Sequence, residues 1–172
     1  MRSRAIICGV VLLALASVAQ AAPDAGAKAR GEFNFYGHSV HSSLQSAHSH
    51  ARHYATYLTH VQSLPAPATV DVEVAKSAGD AIGDSISTMR RHLAVMRKHA
   101  TALGDKEALG MIDDVERNLA EAGEHHAALQ ATHAGQSIDA ATAKQHVDKV
   151  NTALEKARRE HDEVMKKIGE GT

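Results

Sequence analysis

Apolar and small residues return every three or four positions along four stretches of this chain, and helix breakers separate the stretches. The first seam is Phe33, Gly37, Val40, Leu44, Ala47, Ala51, Tyr54, Leu58 and Val61. Its steps alternate four and three, the spacing of a helix that buries one face. It predicts a helix over 32–64. Pro65-Ala66-Pro67 stops it, because proline lacks an N–H donor and forces the residue before it out of helix.

The second seam, Ala75, Ala78, Ile82, Ile86, Met89, Leu93, Met96, Ala100 and Leu103, predicts a helix over 70–103. Gly79 and Gly83 lie beside it and each costs about 1 kcal/mol against alanine. They imply the close approach of a neighbouring helix, or room for a large side chain opposite. Gly104 ends this helix and Asp105 caps the next. The third, over 106–133, has the seam Ala108, Ile112, Val115, Leu119, Ala122, His126, Leu129 and His133, with Gly135 as its stop. Ser137 or Asp139 caps the fourth, which runs to 168 with the seam Ala143, Val147, Val150, Leu154, Ala157, His161, Val164 and Ile168.

Long amphipathic segments joined by short turns pack as antiparallel neighbours. The expected fold is all-α: an antiparallel up-down-up-down four-helix bundle of two helical hairpins over 32–172, with rods about 40–50 Å long. The seams are rich in alanine and glycine, so the core is thin. A looser pair of hairpins and a homodimer are the two other ways to bury such seams.

The N-terminal end has a different pattern. Arg2 and Arg4 precede an apolar run from Ala5 to Ala16, and Ala19-Gln20-Ala21 follows as a small-x-small site. Residues 1–21 read as a secretory signal peptide and 22–31 as a disordered leader. Cys8 sits at the front of the apolar run, where a lipidated cysteine would not, so a lipoprotein is rejected. No later stretch approaches the roughly 20 apolar residues of a membrane span. Export implies the periplasm. Cys8 is the chain's one cysteine and leaves with the signal, so the mature chain has neither disulfide nor thiolate ligand.

Charge excludes one partner class. Of 19 basic residues, Arg2 and Arg4 leave with the signal, so 17 face 20 acidic ones, a net charge of about −3 and no footprint for nucleic acid. Histidine is the compositional outlier, with 13 in the chain, all beyond residue 37. Six of them, His38, His41, His48, His50, His53 and His60, flank the seam of the first helix. Folding the hairpins about their turns sorts eleven into two layers. One end gathers His38, His41, His92, His99 and His161, with Met96 and Met111 inside and Asp113, Asp114 and Glu116 nearby. The other gathers His50, His53, His60, His126, His133 and His146, with His125 close by.

Neutral imidazoles hold zinc, copper, nickel and cobalt without cysteine, and pairs at i,i+3 or i,i+7 present two rings on one helix face. His38/His41, His50/His53, His92/His99 and His126/His133 are such pairs. A lone histidine beside a seam is ordinarily a boundary residue, and Met89 and Met96 at heptad spacing belong to the core. His48, His125 and Tyr57 read as surface. The joint pattern still favours ligation, because inward histidines cost burial energy that leucine would not.

Several chemistries lack their residues. The chain has no Glu-x-x-His of di-iron bundles, no Cys-x-x-Cys-His, no His-Glu-x-x-His, no phosphate loop and no serine elbow. The expectation is a non-enzymatic, exported bundle that binds Cu, Zn, Ni or Co to buffer, store or sense it. Two alternatives stand beside it. One is non-covalent haem held by two inward histidines, with only Phe33, Phe35, Tyr36, Tyr54 and Tyr57 as aromatic lining. The other is a metal-free structural or partner-binding bundle made pH-responsive by inward His126, His133 and His161.

Overall fold

Three aspartates mark where the helices begin. Asp71 Oδ1 accepts from the backbone N–H of Glu73 at 2.8 Å and of Val74 at 3.1 Å. Asp105 Oδ1 accepts from Ala108 N at 2.9 Å, and Asp139 accepts from Ala141 N at 3.0 Å and from the Thr142 hydroxyl at 2.6 Å. Each satisfies donors that a helix N-terminus leaves open. Asp139 rather than Ser137 therefore starts the fourth helix. The Thr142 and Ala141 hydrogen bonds hold its carboxyl below the usual aspartate range. Gly104, at φ 69°, closes the second helix in the left-handed conformation.

A computed structural model of the protein describes residues 4–65, 69–134 and 137–170, with side-chain surroundings at 25–65, 69–134 and 137–167. It is all-helical, with four helices: α1 Arg4–Ser63, α2 Val72–Leu103, α3 Lys106–Thr132 and α4 Ala140–Glu170. α1 differs from the expected 32–64 at its start. Residues 25–31, read as a disordered leader, continue the helix, and Ala29 is buried. Their composition, alanine with Lys28 and Arg30, suits a helix as well as a leader. The expected signal peptide, 1–21, lies outside the residues with described side chains, as do Gly135 and the Ile168 side chain. Among the described residues no helix is long and apolar enough to cross a membrane.

α1 packs on α2 and α4, and α3 packs on α2 and α4; among the described residues the diagonal helices have no close backbone approach. All nine positions of the first seam are buried. The other three seams fill the rest of one core, from Ile82, Met89, Leu93 and Met96 through Ile112, Leu119 and Leu129 to Val147, Leu154 and Val164. In α2, Gly79 rather than Ala78 takes the fully inward place.

The α2–α3 interface carries polar keys in glycine sockets. A Cβ at Gly79 would stand 2.8 Å from Gln130 Nε2, one at Gly83 2.7 Å from His126 Cε1, and one at Gly123 2.6 Å from Arg90 Nη2. Arg90 also donates to the Leu119 carbonyl at 3.0 Å. Of the two readings of Gly79 and Gly83, room for a large facing side chain is the one observed. Tyr57 is half-buried and ties the α1–α2 turn, its hydroxyl accepting from Asp71 N at 2.8 Å. It is a structural residue that reads as surface from spacing alone.

Candidate metal centre

His161 lies on the α4 seam four residues from Ala157, so helical periodicity drives it inward. It is 0 % exposed, and neither ring nitrogen makes a well-formed hydrogen bond, although the Gly37 carbonyl lies close enough to raise its pKa against the effect of burial. A buried polar atom left unpaired costs about 1–3 kcal/mol. Burial pushes the imidazole pKa down to about 4; Asp162 opposes that shift, and His41 and His38 reinforce it. The ring is therefore neutral at pH 7, the state in which imidazole is a ligand.

His41, beside the α1 seam, tilts against it with ring centroids 6.0 Å apart. Its Nδ1 lies 3.3 Å from Asp162 Oδ1, and His161 Nδ1 lies 4.0 Å from the same oxygen. Among the described residues, this is the one group of three His, Cys, Asp or Glu with ligand atoms all within 4.8 Å of one another. A tetrahedral ion with bonds of 2.0–2.1 Å needs its ligand atoms about 3.4 Å apart. The His41–Asp162 pair already has that spacing, and His161 Nδ1 lies somewhat beyond it. Gln45 stands 2.9 Å from His41 Nε2. The Gln45 amide Nε2 donates to His41 Nε2, so the ring hydrogen sits on Nδ1 toward Asp162, and an ion bound at Nδ1 would displace it.

The remaining members of that layer are arranged otherwise. His38 is exposed. His92 and His99 flank Tyr36, with ring centroids 5.6 and 6.3 Å from it, and His99 Nδ1 pairs with Glu32 at 3.5 Å. Arg97 engages Asp113 and Glu116, and Arg117 engages Asp114. Those carboxylates have cationic partners of their own.

The second layer forms a hydrogen-bonded network. His133, 2 % exposed at the C-terminal end of α3, meets Tyr54 of α1 across the core at 2.9 Å, Nε2 to hydroxyl. Burial raises the Tyr54 pKa and lowers that of His133, so a neutral phenol faces a neutral imidazole. His126 Nε2 donates to the Gly79 carbonyl at 2.7 Å. His50, His53 and His60 are exposed, and His146 is half-buried with an unpaired Nδ1. His48, read as surface, is half-buried beside Glu155 at 3.3 Å. Between α1 and α2 a cleft of about 620 Å³ is lined by Tyr54, Tyr57, Val74 and Ala78, with His50 and His53 on its border.

Spacing places His41 and His161 at one end of the molecule but does not single them out from their three companions. Asp162 was hidden within an acidic run that reads as a solvated face. Its position directly after an inward histidine was the available signal. In comparisons with known proteins the chain matches no family model, no curated protein and no solved structure.

Proposed function

We propose that this is an exported, periplasmic, antiparallel four-helix protein that binds a divalent transition ion, Cu, Zn, Ni or Co, at His41, His161 and Asp162. It buffers, stores or senses the ion and carries out no catalysis. The observation that carries this reading is His161: a fully buried imidazole with no well-formed hydrogen bond at either nitrogen, one edge facing a second histidine and a carboxylate. A leucine there would bury without that cost, and an ion removes it. The antiparallel arrangement is supported by the order of contacts. Tyr57 meets Asp71 beside the first turn, Tyr36 meets His92 farther along, and Glu32 meets His99 farther still. Isothermal calorimetry of tag-free protein with Cu(II), Zn(II), Ni(II) and Co(II) tests the reading. Saturable binding of at least one ion, abolished in His161→Leu, is expected; no saturable binding of any of them overturns it.

A second reading, non-covalent haem, has the cleft between α1 and α2 in its favour. Tyr54 and Tyr57 stack there at 6.2 Å and 16°, with His50 and His53 at its edge. Titration with haemin decides it: a Soret shift lost in His53→Ala supports this reading, and an unchanged spectrum removes it.

A further inference from the structure

We infer that Met165 adds a thioether to the His41–His161 centre, making it a copper site that holds Cu(I). The inference rests on the metal reading above and names the ion. Met165 follows His161 by four residues on α4, so the two side chains share a face one turn apart. Its sulfur occupies the space that a Cβ on residue 37 would take. Gly37 is buried in the α1 seam, and any side chain there would drive the thioether out. The Gly37 carbonyl also approaches the His161 ring closely enough to raise its pKa. Imidazole and sulfur therefore converge on one glycine, with the Met96 methyl group 3.5 Å from the same point and fully buried as an apolar wall.

This donor set differs from an ordinary zinc site. Imidazoles serve zinc and copper alike, and it is the soft thioether that tilts such a set toward Cu(I). Asp162, the hard donor, is about half exposed and sits at the outer edge. Met165 is half-buried and could fill the glycine groove as a simple packing residue, a role in which leucine would serve as well. The test turns on that equivalence.

Cu(I) affinity is measured anaerobically by competition with a chromogenic Cu(I) chelator, and Zn(II) affinity by a zinc indicator, for the wild type, Met165→Leu and Gly37→Ala. The expected result is Cu(I) binding about tenfold or more weaker in both variants, with Zn(II) changed by less than about threefold. X-ray absorption is expected to find a sulfur neighbour of copper in the wild type and none in Met165→Leu. Equal Cu(I) affinity in the wild type and Met165→Leu, or no sulfur around copper in the wild type, overturns the inference and leaves the histidine centre standing. Failure of the wild type to take up any ion overturns both.

Discussion

The two ends of this bundle bury the same kind of side chain in opposite conditions. His133 shares a hydrogen with Tyr54, its neighbour His126 is anchored on the Gly79 carbonyl, and glycines are hollowed out to receive the assembly. His161, more deeply buried, has no well-formed hydrogen bond at either nitrogen and faces His41 and Asp162. His133 leaves its Nδ1 unpaired but anchors Nε2 on Tyr54, whereas His161 anchors neither nitrogen well. An unanchored imidazole is a cost the fold carries for something else. The difference sets His161 apart where composition treats all thirteen alike.

The largest expected effect is on the ion. His161→Leu should weaken metal binding by more than about 100-fold, since removing even an outer contact of a ligand costs 10–100-fold. With chelator present, the same variant should be more stable than the wild type by about 1–2 kcal/mol in urea unfolding, because an unpaired buried imidazole is gone. His133→Leu should move the other way, by about 2 kcal/mol, because it strands the Tyr54 hydroxyl. The contrast fails if the two substitutions shift stability in the same direction.

Acid sharpens the comparison. An unfolded histidine titrates near 6.5, whereas folded His161 titrates near 4 and folded His133 also lies below the usual value. As pH falls through this interval the unfolded chain takes up protons first. Stability is therefore full above about 6.5 and declines as pH approaches 4, by about 3 kcal/mol from His161 alone. Asp162 opposes the shift, while His41 and His38 on α1 reinforce it. Melting in chelator at pH 7.5 and pH 5 should show this loss in the wild type, with a flatter dependence in His161→Leu. Equal slopes would return the pH response to the other end.

The smallest effect concerns the sockets. Gly83→Ala should destabilise by about 1 kcal/mol net, since displacing His126 outweighs the gain in helix propensity. Gly110→Ala, with nothing within 4 Å of the new methyl group, should stabilise by a similar amount. Thermal melts of the two variants check both signs.

The helices, their seams and most of their stops were legible because burial follows the helical period and each boundary has a chemical marker, such as Pro65, Gly104 or Asp105. Spacing also places His41 and His161 at one end. It does not reveal which nitrogens find partners, because that depends on rotamers and on residues far apart in sequence. Tyr54 meets His133 only once the first and third helices lie across the core from each other. Asp162 gains its interest from His41, and Met165 from Gly37, which reads along the chain as merely one more small seam residue. The start of α1 was misjudged because an alanine-rich leader and an alanine-rich helix look alike in composition.

The centre draws His41 from the first helix and His161 and Asp162 from the last, a separation of roughly 120 positions. An ion seated between them acts as a clasp on the closed ring of helices. A chain emerging N-terminus first holds only half of the clasp until α4 arrives, so loading would wait for the whole polypeptide to fold. Once loaded, the ion would resist the parting of the outer rods by mass action, and fraying of either rod would release it.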